Sequence, residues 1–241
     1  MIHYHGTRVA MDDASAAKVL AGRHALVPFP DPSQLAIVQE VCSSYCVDNG
    51  AFSAWAAGEP VTDWTPYYKW VDSLGGPIDF AIIPDVIDGS EADNDRLIEE
   101  WPLGHLGAPV WHLHESLARL EWLVRKWPRV CLGSSGTYSD PGSEGWWRRM
   151  GEAMKVACFP DGRPRTRLHG LRMLDPALFT RLPLHSADST NAGRNAGHPD
   201  RWKGMYAPPD KAWRGIVLAA RIEAHQSAVK WTPPSQMNLE M

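Results

Sequence analysis

The sequence predicts an α/β protein, a single (β/α)8 TIM-like barrel spanning 1–241. Three observations predict it. Short apolar runs rich in β-branched and aromatic residues recur eight times, mostly separated by helix-like segments. A length of 241 residues is ordinary for one such barrel. Several of the runs end in Asp, His or Gly, delivering polar groups to one rim, the face that hosts barrel active sites.

Taken in order, the first strand is expected at 2–5, followed by an Ala-rich helix at 11–21 opened by Asp12 and Asp13. A second strand at 25–29 is closed by prolines, a helix follows at 34–41, and the third strand spans 45–47. The pattern continues with a helix at 67–74, a strand at 78–83 stopped at Pro84-Asp85, and an acidic helix at 91–101. The fifth strand is expected at 110–113. The helix at 117–126 places Leu117, Leu120, Leu123 and Val124 on one face. The sixth strand, 130–132, runs into Gly133-Ser134-Ser135-Gly136, and the next helix covers 146–156. Strands at 166–168 and 184–187 flank a short helix at 176–181, and a helix at 212–229 closes the barrel. The stretch 191–209, rich in Gly, Asn, Pro and basic residues, reads as a long rim loop, and such loops are usually functional.

Composition bounds the class. A hydrophobic content of 44% with 22% charged residues is that of a globular protein with a sizeable core. No run approaches eighteen apolar residues, and the N-terminus lacks a basic region followed by an apolar stretch. No signal peptide and no membrane span are therefore expected, and the expected location is the cytoplasm. The four cysteines, Cys42, Cys46, Cys131 and Cys158, lie scattered in apolar surroundings and read as buried free thiols. Charge is uneven: 144–215 holds thirteen Lys/Arg against seven Asp/Glu, and the remainder eleven against twenty-one. A basic half on an acidic protein can mark a polyanion-facing surface or simply an unequally charged solvated face.

The strand ends carry the chemistry. On the barrel reading they bring Asp48, Asp85, His112 or His114, Gly133, His169-Gly170 and Asp188 to one face. Alone, Asp48-Asn49-Gly50 reads as a turn, and each carboxylate could be a helix cap. Together, three carboxylates from three strands offer a nucleophile, an acid/base and an acceptor for ligand hydrogens.

These residues, in this order, resemble the tRNA-guanine transglycosylases and their relatives, the 7-deazaguanine DNA transglycosylases. Val47-Asp48-Asn49-Gly50-Ala51-Phe52 is similar to the family's Asp-Ser-Gly-Gly-Phe segment with its general acid/base Asp, and Pro84-Asp85 to the Asp that binds the base's Watson–Crick edge. Leu113-His114 stands where the family has a base-reading Gln, Leu132-Gly133-Ser134 resembles a Gly-Leu segment whose backbone contacts the base, and Leu168-His169-Gly170 a Leu-Met-Gly segment whose Met packs on it. Ala187-Asp188, with Asn191-Ala192-Gly193-Arg194-Asn195, resembles the nucleophilic Asp and the Ser-Gly-Arg-Asn beyond it. The matches span roughly 45–195.

The resemblance implies base exchange through a covalent Asp188–glycosyl intermediate, with Asp48 as acid/base, Asp85, His114, Gly133, His169, Gly170 and Phe52 around the base, and Arg194, Arg201 and Lys203 on phosphates. His169 and Phe52 are the candidate walls beside the base. Its partners are a free 7-deazaguanine and DNA, with tRNA the alternative polymer. No cofactor is expected. The tRNA enzymes carry a Cys-x-Cys-x-x-Cys…His zinc site beyond the nucleophile, and this chain has no Cys after Cys158, so that subdomain is absent and metal ligands are expected to be none.

Two other classes fit parts of the sequence. His3-Tyr4-His5 with His114, His169 and Asp188 makes an amidohydrolase-like zinc constellation, which leaves Asp48 and Asp85 without roles. The basic half and twelve tryptophans fit a non-catalytic nucleic-acid-binding barrel, but eight of them (Trp55, Trp64, Trp70, Trp101, Trp122, Trp127, Trp146 and Trp147) fall in or beside helix-like segments and are expected to pack helices.

Overall fold

The computed structural model describes residues 1–7, 11–198 and 202–233. It is a parallel barrel flanked by helices, as the sequence predicts. The strands are β1 (Ile2–Gly6), β2 (His24–Pro28), β3 (Ser44–Asp48), β4 (Ile78–Ile82), β5 (Gly107–Ala108), β6 (Val110–His112), β7 (Arg129–Gly133), β8 (Arg167–Gly170) and β9 (Ser186–Ser189), in the order β5-β4-β3-β2-β1-β9-β8-β7-β6. β5 and β6 lie at the two ends of that order yet are consecutive in the chain, separated only by Pro109. Proline has no N–H for a ladder, so the strand breaks there. β5 pairs with β4 and β6 with β7, which nearly closes the barrel. Eight strand positions result, and the fifth begins three residues before its expected start.

The helices are α1 (Asp13–Leu20), α2 (Leu35–Val41), α3 (Ala51–Ala56), α4 (Thr65–Asp72), α5 (Glu91–Glu100), α6 (Leu117–Lys126), α7 (Glu144–Ala157), α8 (Pro176–Phe179), α9 (Asn191–Asn195) and α10 (Lys211–Glu223). Their starts follow capping chemistry. Asp12, Ser116, Ser143 and Asp210 each accept a backbone N–H of the following turn, and Ser90 with Asp93 forms a reciprocal capping box. The helices α3 and α9 are absent from the sequence-based assignment because five- and six-residue segments carry too little periodicity to register. The final helix stops at Glu223, six residues before its expected end.

Strand alternation sorts side chains into two cores. Tyr4, Leu26, Cys46, Phe80, Ile82, Ala108, Val110 and Cys131 fill the barrel interior, and a larger cluster lies between sheet and helices. Trp64, Trp101 and Trp146 are buried in that outer layer, as expected of helix-packing tryptophans, whereas Trp55 and Trp122 remain exposed. All four cysteines are free, three of them buried. Among the described residues no helix is long and apolar enough to cross a membrane.

The same alternation turns His3 and His5 out of the barrel. His3 Nε2 lies 3.0 Å from the carbonyl of His225, and His5 Nε2 lies 2.9 Å from Glu223, which also accepts from Arg23. These histidines anchor α10 to β1 and do not converge on Asp188, so the zinc constellation is not assembled.

Candidate active site at the barrel mouth

Interior-facing positions on β3 run Ser44, Cys46, Asp48, and on β9 Ser186, Asp188. The last of each series therefore projects over the interior at the C-terminal rim. Asp85 follows β4 and His112 ends β6, so four polar side chains from four strands meet at the mouth. The expected convergence of Asp48, Asp85 and Asp188 is present.

Their environments differ. Burial together with the negative charges of Asp188 and Asp85 pushes the Asp48 carboxyl up to about 7, against the opposing backbone N–H groups of Gly50 and Asn49. Asp188 is held on its Oδ1 by the backbone N–H of Arg172 at 2.9 Å, and the same oxygen lies 3.3 Å from Nε2 of His169. Asp85 accepts from Asn49 Nδ2 at 3.0 Å and from His112 Nε2 at 2.9 Å, one donor on each oxygen.

Behind Asp85 lies a buried ionic chain. Burial alone would lower the His112 pKa, but hydrogen bonds to Asp85 and Glu115 prevail and raise it to about 9, so the ring is protonated at neutral pH. Glu115, itself opposed by burial, is held below its ordinary value by His112 and by Arg119, whose Nη1 donates at 2.6 Å. Asn94 Nδ2 donates to Glu115 at 2.9 Å. The Asn49 amide also donates to the carbonyl of Ile83, and its oxygen accepts from Ala51 N–H. Asn49 thus ties the end of β3 to the end of β4.

Beneath Asp188 a second line runs through the interior. Arg129, stacked 4.1 Å over Phe80, donates to Ser186 Oγ at 3.2 Å, and Ser186 Oγ lies 2.9 Å from His169 Nδ1. With Arg129 supplying Ser186 a hydrogen, the hydroxyl is free to donate to Nδ1, which leaves the imidazole hydrogen on Nε2, facing Asp188. Burial lowers the His169 pKa, so the ring is neutral.

The remaining expected residues fall as follows. His169 is fully buried, in edge-to-face contact with Tyr4 and Phe80, so it lies beneath the nucleophile position and is no wall for a base. Gly170 points outward: a Cβ there would meet Leu184 and Met173 at 2.9 Å, so its smallness lets the segments flanking α8 pack on the strand. Gly133 faces inward, where a side chain would press on Val110 and on His112 at 3.3 and 3.4 Å. His114 is exposed, hydrogen-bonds Ser135 Oγ at 2.7 Å and stacks beside His112. Phe52 is exposed on the first turn of α3. Arg194 is exposed on α9 at the rim. Lys203 is exposed, and its neighbours Trp202 and Met205 contact Arg221 on α10, the helix against which α9 also packs. Arg201 falls outside the described residues.

Asn49, Glu115 and Arg172 were not singled out from the sequence. Asn49 adjoins Asp48 and was legible as part of a turn; nothing in sequence distinguishes Glu115 or Arg172. Two open concavities, of about 840 and 600 Å³, lie elsewhere, one at the N-terminal end of the barrel beside Ile2, Arg167 and His185, the other between α7 and residues 230–233. The chemistry, not either of these hollows, locates the site. No protein-family profile, curated protein or solved structure matches this chain. Fold and mouth together define a (β/α)8 barrel with a three-carboxylate mouth.

Proposed function

We propose that this barrel is a base-exchange glycosyltransferase that replaces guanine in DNA with a 7-deazaguanine such as 7-cyano-7-deazaguanine. The observation that carries the reading is the contrast between two neighbouring carboxyls: Asp48 raised to about 7, Asp188 held by the backbone N–H of Arg172 with the His169 ring beneath it. One is poised to exchange a proton near neutrality, and the other is oriented as a nucleophile.

In the first half-reaction an Asp188 oxygen attacks C1′ of the extruded nucleotide. The C1′–N9 bond breaks through an oxocarbenium-like state, and Asp48 gives its proton to the departing guanine. In the second, Asp48 takes the N9 proton of the incoming 7-deazaguanine, whose N9 attacks C1′ and frees Asp188. Asp85, braced by Asn49 and His112, keeps a further lone pair on each oxygen for the N1–H and exocyclic amine of the base. Arg194 at the rim is placed to meet a phosphate. The choice of DNA rests on the stretch from Asp188 to Met241, which holds no Cys and so none of the cysteine zinc ligands found beyond the nucleophile in the tRNA enzymes.

The test is incubation of purified protein with labelled guanine or 7-cyano-7-deazaguanine and, in parallel, duplex DNA, single-stranded DNA and tRNA. Label should enter DNA, and Asp188→Asn should abolish incorporation while DNA binding survives. Incorporation only into tRNA refutes the DNA assignment, and exchange by Asp188→Asn removes Asp188 as the nucleophile.

A further inference from the structure

Arg172 follows β8 and combines three features found together nowhere else among the described residues. Its backbone is left-handed, φ 59°, the sole non-glycine there with positive φ. Its N–H donates to Asp188 at 2.9 Å. Its guanidinium lies 4.5 Å over the ring of Phe52. Positive φ is costly for an arginine and persists where surrounding structure demands it.

Topology gives the contact its meaning. Between β3 and β8 in the barrel order stand β2, β1 and β9, so the two strands are diametrically opposed among eight positions. Phe52 belongs to α3, which follows β3 directly, and Arg172 follows β8. Their pairing therefore spans the mouth, directly over the carboxylates. Both side chains are exposed, and no carboxylate among the described residues pairs with the Arg172 guanidinium. The arginine rests on an aromatic face because nothing anionic holds it.

We propose that Arg172 and Phe52 form a clamp for a flat nitrogen heterocycle, which enters between guanidinium and ring and is gripped on both faces over Asp188. This deepens the base-exchange reading and assigns the second wall, expected at His169, to Arg172. A planar cation and a phenyl ring in contact are complementary to a π-system on either side, and parting them exposes two stacking faces. A departing purine gathers negative charge, which a stacked guanidinium stabilises. The left-handed backbone joins both duties: the N–H holds the nucleophile while the side chain reaches across the mouth.

Arg172→Gly is the discriminating variant, because glycine adopts positive φ freely and keeps the N–H on Asp188. Binding of guanine, 7-cyano-7-deazaguanine, uracil and the non-planar myo-inositol is measured by calorimetry on wild type, Arg172→Gly and Arg172→Lys. The expected result is planar-base affinity lower by about tenfold in Arg172→Gly, an intermediate loss in Arg172→Lys, which keeps charge but not the plane, and melting temperatures within about 3 °C of wild type. Affinity unchanged within about twofold in Arg172→Gly overturns the clamp, as does wild-type protein that binds no planar base or binds inositol equally well. Binding of uracil but not of the guanine types, lost in Arg172→Gly, upholds the clamp and removes the base-exchange reading.

Discussion

At the residue scale, Asp48 shows how position creates reactivity. An aspartate in water is ionised above pH 4, and here burial and two neighbouring carboxylates lift it to about 7. A carboxyl whose folded pKa is raised costs nothing below its ordinary value, destabilises increasingly as pH climbs from there to the folded value, and exacts its full penalty above it. Asp48→Asn should therefore stabilise the protein by about 1–3 kcal/mol at pH 8 and leave stability at pH 4 unchanged. Chemical denaturation at the two pH values checks this. The same variant should lose base exchange. Gly50 belongs to this scale as well: its φ is 83° and a Cβ would meet Pro30 at 2.3 Å, so the turn that presents Asp48 demands glycine.

At the scale of elements, the ends of β3 and β4, the end of β6 and the first turn of α6 are joined by one buried chain, Asn49–Asp85–His112–Glu115–Arg119. Removing one member leaves uncompensated buried charge, so His112→Ala should cost about 3 kcal/mol, read from denaturant unfolding. Its pH signature has a definite sign. The His112 pKa is raised from 6.5 to about 9 on folding, so its stabilisation is complete below pH 6.5 and lost as pH rises through 9. Melting temperature should fall across that window in wild type, and the slope should flatten in the variant. The stretch after β9 belongs to this scale too. Arg194 on α9 and Lys203 beyond it are both exposed. Each changed to Ala should weaken polynucleotide binding and reduce its salt dependence by about one charge, checked by salt titration of DNA binding.

At the scale of the molecule, eight strand positions and their helices were legible in the sequence because apolar runs and capping residues repeat. The rim carried by those strand ends was legible too: Asp48, Asp85 and Asp188 close the third, fourth and eighth runs, and parallel strands send their C-terminal ends to one mouth. Less legible was anything depending on partners distant in sequence. His169 seemed suited to a wall, yet strand parity and the Tyr4 and Phe80 rings place it inside, under Asp188. The H-x-H of β1 seemed suited to a metal, yet both histidines face α10.

The sequence by itself determined the barrel and the carboxylates at its mouth, because these follow from short-range periodicity and from the residues that close each apolar run. Only the tertiary structure decided what each carboxylate is. The charge on His112, the raised Asp48, the donors on Asp188 and the Arg172–Phe52 span arise between side chains tens to more than a hundred residues apart in the chain. Electrostatics and stacking act through space, and in a closed barrel proximity at the mouth is set by strand order rather than by sequence distance.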